Sequence, residues 1–514
     1  MSNNDNSSSR SKTALGLILT GAIISLVALV ISLAKMHLDR SPTIEAGQAN
    51  LHNLWPFWIS SASCWIALTA LWLYLRKSQQ RNINFWAITI VIFLVAVSAR
   101  IAVVLTHQPT LSDDIYRYIF DGRNLANSIN PYLHAPAERL GLSTDEIMER
   151  PLGVLMESGV DLVDDEHWPG EAKLLPLINN PELHTIYLPT SQYVFAVAAF
   201  FISDAAADPQ TSSRILRYVL IVIELFAIGL ILLALKHADR SAWWAALYAW
   251  HPIAITEIAG SGHQDVIGVA LMMLGLVMFS NVPKKVWQWT IALAVASLAK
   301  PVTIPLAAIM LKGQSWRRWF ISGAVGGAVC IALCAPLLLT HNGQPLSNLI
   351  DTASRFSQKW AHFGSVYEPT MWTLSKVDPI EDEQTGWQKR ESHEKIARLI
   401  CLALVGIVII AVFFSSLDVW ASCRVILFAM VLFSSTAHPW YLLWALVILP
   451  RAPSPAVWIA TLTLPWGYAQ LGDVIDWTVP TWVIYAAYCP VYLALMIDIV
   501  MSYKKRTTLK KSIE

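Results

Sequence analysis

FWAITIVIFLVAVSARIAVVLT, Phe85–Thr106, is a run of 22 residues in which Arg100 is the sole charge. A bilayer's hydrocarbon core of about 30 Å takes about 20 apolar residues wound as a helix, so this run reads as a membrane span. The same reading applied outward finds thirteen further apolar runs. They are Ala14–Ala34, Trp55–Leu75, Ile186–Ile202, Ile215–Leu235, Trp243–Ala259, Val266–Phe279, Val286–Leu311, Trp319–Leu339, Leu399–Phe414, Val419–Phe433, Trp440–Leu449, Val457–Tyr468 and Trp482–Val500. Several are shorter than a full crossing and read as broken or re-entrant helices, which are tolerated where protein or a cavity covers the backbone. Composition agrees: of 514 residues, 55 % are hydrophobic and 14 % charged, against about 25 % charged in a soluble domain. Mean hydropathy is +0.48. These values exclude a soluble globular enzyme, a disordered chain and a nucleic-acid-binding protein. With 37 Lys+Arg against 36 Asp+Glu, net charge implies no bulk electrostatic partner. The 23 Trp suit belts at two membrane interfaces. Cys64, Cys330, Cys334, Cys401, Cys423 and Cys489 show no metal-ligand spacing and read as small hydrophobes.

The fold class is therefore an all-α polytopic membrane protein of about 13–14 transmembrane helices. The run at Ala14–Ala34, behind a polar head with Arg10 and Lys12, is too long for a signal-peptide core and reads as a retained anchor. Basic residues in short loops set orientation. Arg10/Lys12, Arg76/Lys77/Arg81, Lys312/Arg317/Arg318 and Lys504/Lys505/Arg506/Lys510/Lys511 are expected on the cytoplasmic side. Two long polar segments, 107–185 and 341–395, then become large outer loops. A simple count of fourteen crossings leaves Lys236/Arg240 and Lys284/Lys285 outside. They move inside if Ile186–Ile202 is re-entrant and Val286–Leu311 is a hairpin broken at Lys300-Pro301. The simple count is preferred. Residues 1–84 carry the first two expected helices, which the family resemblance given below marks as an N-terminal addition; 85–340 is a transmembrane module with the first loop, 341–395 the second loop and 396–514 the last helices.

The densest polar cluster opens the first outer loop: Leu111-Ser112-Asp113-Asp114-Ile115-Tyr116-Arg117-Tyr118-Ile119-Phe120-Asp121-Gly122-Arg123. At helical spacing Asp114, Tyr118 and Asp121 share a face, and Asp113 and Arg117 lie four apart. Apolar residues recur beside the charges, which describes a helix lying on the membrane surface. A carboxylate in a partly desolvated pocket there has its pKa raised and becomes a usable base. The plainer alternative is a solvated helix start capped by Ser112, with two acids complementing the dipole.

Four more features carry polar groups. His251-Pro252 through Glu257 leads to Gly262-His263-Gln264-Asp265, and intramembrane acids are costly enough to suggest function, with a structural network between helices as the alternative. Lys300, before Pro301 in a long apolar stretch, needs an anion: Glu257 or Asp265 structurally, or a lipid phosphate. His438, in Ala437-His438-Pro439-Trp440-Tyr441, could donate to phosphate or serve the interfacial belt. The stretch Lys359–Glu368, with His362 and Tyr367, mixes cations, aromatics and turn residues as sugar or head-group contacts would, or as interfacial anchoring would. No P-loop, Rossmann glycine fingerprint or Gly-x-Ser-x-Gly elbow is present, so a nucleotide is not expected as substrate or energy source.

Ser112-Asp113-Asp114 through Arg123, followed by Asn130-Pro131-Tyr132, resembles the start of the first outer loop in bacterial GT-C glycosyltransferases that use polyprenyl-phosphate-mannose. The α-mannosyltransferases of mycobacterial lipoglycan assembly are relatives of that family. Tyr187–Gln192, Trp250–Glu257, Gly262–Asp265, Lys300-Pro301 and His438–Tyr441 follow in the same order, so the resemblance covers roughly residues 85–450. His251 and Gln264 stand where Asn is usual, and Leu188 where Pro is common.

The resemblance implies a GT-C fold and an inverting transfer of a sugar, mannose favoured, from a polyprenyl-phosphate donor to a cell-envelope glycan, lipid or protein acceptor. It implies Asp113 or Asp114 as base, with Asp114 favoured because it shares a face with Tyr118 and Asp121. Arg117 or Arg123 would neutralise the departing phosphate, with Lys300 and His438 as second choices. Tyr118, Asp121, Glu257, His263, Asp265, His362 and Tyr367 are the candidate substrate contacts. No metal or cofactor is expected. The expected location is the outer face of a bacterial cytoplasmic membrane. The principal alternative is a lipid or polysaccharide transporter using Glu257, Asp265 and Lys300 as a midplane relay. A structural or assembly protein explains the clustered acids poorly.

Overall fold

A computed structural model describes residues 2–40, 43–77, 84–139, 171–202, 208–379 and 383–511. Arg81, positions 140–170 of the first outer loop and 380–382 of the second lie outside the described residues. The described chain is helical, and its only extended pairing is a single bridge between His362 and Thr436. In chain order the helices are α1 (Ser2–Lys35), α2 (Ile44–Lys77), α3 (Phe85–Thr106), α4 (Asp114–Ala126), α5 (Pro189–Ala199), α6 (Pro209–His237), α7 (Asp265–Asn281) and α8 (Val286–Ser297). There follow α9 (Ile304–Leu311), α10 (Trp316–Leu338), α11 (Gln344–Lys359), α12 (Tyr367–Val377), α13 (Glu383–Phe414), α14 (Val419–Leu432), α15 (Pro455–Thr463) and α16 (Thr481–Lys511).

Among the described residues, seven helices are long and apolar enough to cross a membrane, as a multi-pass membrane protein requires. They are α1, α2, α3, α6, α10, α13 and α16. The other seven of the fourteen apolar runs form shorter or broken helices. Trp243–Ala259 breaks into short turns that end in a π-helical turn at Ile255–Gly260. Val286–Leu311 breaks where Lys300 is extended ahead of Pro301, whose ring bars a preceding helical residue. Pro439 and Pro455 likewise start short helical pieces in two later runs. The remaining apolar helices, α5, α7 and α14, have 11, 17 and 14 residues.

The chain divides into two compact units: Met1–Ala102, Ile228–Ile255 and Ala361–Glu514 form the first, and Val103–Ala227 with Thr256–Trp360 the second. In the first unit α2 runs antiparallel to α15 and the turn after it. Trp65 Nε1 donates to the Trp458 carbonyl (3.0 Å), Trp58 Nε1 to that of Pro465 (3.1 Å) and Asn50 Nδ2 to that of Leu471 (3.0 Å). The carboxyl end of α2, with Arg76 and Lys77, thus lies at the Ser454 end of α15. The ends of α6 and α14 meet there too. Arg240 Nη1 donates to the Arg451 carbonyl (2.8 Å), and Arg424 Nη1 to those of Ala452 (3.2 Å) and Pro453 (2.6 Å). On α16, Asp498 accepts from Ser454 Oγ and the Ala456 amide.

In the second unit α8 and α10 run side by side, with Thr290 Oγ1 and Ser322 Oγ 2.9 Å apart. Lys284 and Lys285, just before α8, therefore share an end with Arg317 and Arg318, at the start of α10. Both results correct the preferred topology: Lys236/Arg240 and Lys284/Lys285 each lie at the same end as basic residues expected inside. Asp265, at the start of α7, and Lys300, just past α8, mark the opposite end. It is about 25 Å away along the 17-residue α7.

The helix α4 also departs from expectation. It is buried on every side from Ile115 to Asn124 rather than lying on a lipid surface. On one face the contact is backbone to backbone: a Cβ at Gly122 would overlap the carbonyl of Phe195 on α5. Tyr118 then stacks on Phe195 (centroids 4.7 Å, planes 10° apart) and meets Tyr187 edge-on.

Candidate functional site

Asp114 is the first residue of α4, and its backbone amide donates to Ser112 Oγ (3.4 Å). Asp113 precedes it at the cap position and makes no side-chain cap bond. The Asp114 side chain keeps 29 % exposure, while the imidazole facing it is fully buried. Oδ2 of Asp114 lies 3.4 Å from the Tyr118 hydroxyl and 3.8 Å from Nδ1 of His263. On the other side of that ring, Nε2 lies 3.5 Å from Oε2 of buried Glu257. A carboxylate, an imidazole and a second carboxylate thus run in sequence from a half-open position into the protein.

Local backbone makes this line. The π-helical turn Ile255–Gly260 carries Glu257, whose carbonyl accepts from the His263 amide (2.8 Å). Gly262 sits at φ +77°, and a Cβ there would overlap the Ile115 side chain, next to Asp114. Buried Arg217 fastens the turn from behind, with Nη1 donating to the carbonyls of His107 (2.9 Å) and Ala259 (3.1 Å). Next along the chain, Gln264 Oε1 accepts from Ser191 Oγ (2.6 Å) and Asp265 Oδ1 pairs with Lys300 Nζ (2.8 Å).

Burial is the chief force on the Asp114 carboxyl, which is pushed up to about 6. The negative charges of Asp113 and then Asp265 push the same way; the Lys300 ammonium and the Tyr118 hydroxyl push back. A carboxylate poised there is ionised at neutral pH yet basic enough to take a proton.

The other sequence candidates separate into groups. Asp121 is fully buried and fully engaged: Arg117 Nε holds Oδ1 (2.9 Å), while Thr185 Oγ1 (2.5 Å) and Gln192 Nε2 (3.0 Å) donate to Oδ2. Arg117 also donates through Nη1 to the Leu183 carbonyl (2.9 Å), so this pair fixes α4. Its partner is Asp121 rather than Asp113. Arg123 is buried in the last turn of α4, about 14 Å along the axis from Asp114. Lys300 is thus the cation whose charge bears on Asp114. Thr185 and Gln192 were not singled out from sequence; the polar run Thr190-Ser191-Gln192 at a helix start was the available signal.

His362, Tyr367 and His438 belong to the first unit. There the segments around His362 and His438 pair: the His362 amide donates to Ser435 (3.0 Å), and the Ala437 amide to His362 (2.8 Å). The His438 ring stacks between His362 (4.6 Å) and Trp440 (4.1 Å). Burial lowers the His362 imidazole to about 4, so it stays neutral. Tyr367 is core: it packs with Ala397 and Cys401 beneath the Arg398 guanidinium. Among the described residues no group of three or more His, Cys, Asp or Glu is placed to hold a metal ion. Comparison with family models, curated proteins and solved structures finds no match.

Proposed function

We propose that the chain is a membrane glycosyltransferase that moves a sugar, mannose favoured, from a polyprenyl-phosphate donor to a cell-envelope acceptor, with Asp114 as the base. The observation that carries the reading is the half-open Asp114 carboxylate backed by the buried His263–Glu257 pair. In the proposed step the acceptor hydroxyl gives its proton to Asp114 as its oxygen attacks the anomeric carbon. The bond from that carbon to the phosphate oxygen breaks, and its electron pair leaves with the polyprenyl phosphate. Configuration inverts. The phosphate is a good leaving group, so the demand falls on a base and on a cation near the departing charge, here Lys300.

His263 and Glu257 hold the base in place: Glu257 fixes the imidazole, and the imidazole meets the carboxylate. Support for an outer-face site comes from the second unit. Asp265 and Lys300 lie at the end of α7 and α8 remote from Lys284, Lys285, Arg317 and Arg318, and basic ends face the cytoplasm.

The test is transfer from a labelled polyprenyl-phosphate-mannose in proteoliposomes of the full chain. Wild type forms a labelled glycoside and Asp114→Asn loses nearly all transfer. Full transfer by Asp114→Asn removes the base assignment. Movement of lipid-linked sugar across the bilayer with no glycosidic bond formed replaces the reading with transport.

A further inference from the structure

At one end of the first unit three guanidinium groups converge on a single turn, Arg451–Pro453. Arg240 reaches the Arg451 carbonyl and Arg424 reaches those of Ala452 and Pro453, while Arg451 itself supplies the third cation. Two of them lie over indole faces: Arg240 4.1 Å from the Trp244 centroid, and Arg451 5.8 Å from that of Trp420. At the end of α6, Lys236 lies 4.5 Å over Trp86, at the start of α3.

Among the described residues none of these four cations pairs with a carboxylate. Two nearby acids, Asp418 and Asp498, lie close enough for their charges to act on Arg424 but form no ion pair with Arg240 or Arg451. Asp418 caps α14 by accepting from the Trp420 and Ala421 amides, and Asp498 accepts from Ser454 and the Ala456 amide. Each guanidinium has five N–H donors, and the carbonyl contacts of Arg240 and Arg424 use only one or two. Like charges gathered with donors to spare, over aromatic rings at the ends of membrane-crossing helices, call for an anion at head-group depth. Arg geometry favours the paired oxygens of a phosphate.

We propose that this turn binds the phosphodiester of an anionic bilayer lipid, with Arg240 and Arg451 as its principal ligands. The site is independent of the transfer reaction, and its occupant is structural lipid rather than donor. Lipid phosphate is favoured over free phosphate because Lys236 and Trp86 extend the cluster along helices that continue into the bilayer. Trp86 is 63 % exposed on that surface.

The test reconstitutes the full chain in nanodiscs of equal parts phosphatidylglycerol and phosphatidylcholine and weighs retained lipid by native mass spectrometry. Wild type retains phosphatidylglycerol in preference. Each basic side chain at an anionic surface changes binding about fivefold, so the R240Q/R451Q double variant loses that preference by roughly 25-fold. The charge-keeping R240K/R451K variant retains part of it, since the charge survives and the paired donors do not. Equal melting temperatures of all three proteins in phosphatidylcholine alone show that folding is intact. Three results overturn the proposal: equal retention of both lipids by wild type, an undiminished preference in R240Q/R451Q, or displacement of the lipid by millimolar inorganic phosphate, which would make the site one for a soluble anion.

Discussion

Asp113→Asn and Asp114→Asn remove neighbouring carboxylates, yet the site makes opposite demands on them. Positioned general bases contribute about 10²–10⁴-fold, so Asp114→Asn is expected to lower turnover by at least about a hundredfold. Asp113→Asn removes a like charge that raises the Asp114 pKa, and so shifts the acid limb of the rate profile to lower pH. The sign follows from the base being active when ionised. With the midpoint at about 6, the carboxylate is about nine-tenths ionised at pH 7 and about one-tenth at pH 5. Wild-type transfer should therefore rise through that interval and level off above it. Lys300→Met provides the counter-test: it removes a cation that lowers the Asp114 pKa, so its limb moves to higher pH, whatever rate remains. The assay is single-turnover transfer in proteoliposomes from pH 5 to 8 with saturating donor. A wild-type rate flat down to pH 5, or limbs of Asp113→Asn and Lys300→Met that move the same way, would refute the electrostatic account of the site. A loss confined to Asp113→Asn would reassign the base.

Asp121→Asn leaves the buried Arg117 without its partner, at a cost of about 3–5 kcal/mol. It should show a lower melting temperature, with the folded fraction turning over normally; a stable but inactive variant would make Asp121 a substrate contact. Gly262→Ala forces a side chain into left-handed backbone and against Ile115, at about 1–3 kcal/mol, and should lower both melting temperature and transfer. For topology, cysteine at exposed Ser357 should react with an impermeant reagent from outside, and cysteine at Lys285 only from inside. Ser365, 8 % exposed and hydrogen-bonded to Tyr492, makes an unreactive control despite its place in an outer-loop sequence. Labelling of Ser357 and Lys285 positions from one side would overturn the assigned ends of the second unit.

The seven long spans were legible because their apolar runs stay helical through isolated interruptions such as Pro56, Pro336 and Pro490. The others are broken or short, and hydropathy does not register where a Pro or a π-turn interrupts a helix. The helix at Asp114 could also be named from its local spacing; that Lys300 needs an anion was legible, but the sequence left Glu257, Asp265 and a lipid phosphate open, and the structure pairs it with Asp265. The role of Arg117 was not legible. It has carboxylates at both i−4 and i+4, and what selects Asp121 is Thr185 and Gln192, more than 60 positions away in the chain. The approach of His263 to Asp114 depends in the same way on Gly262 packing against Ile115, a contact that no pattern within either segment encodes.

The backbone contact at Gly122 leaves α4 no slack. Main chain rests on main chain, so the helix can neither slide nor roll without parting from α5. The carboxylate at its head therefore behaves as a fixed anvil. In the transfer proposed above, opening and closing would then fall to the chain on either side and to the arriving molecules themselves, and exchange of the lipid product would set the pace.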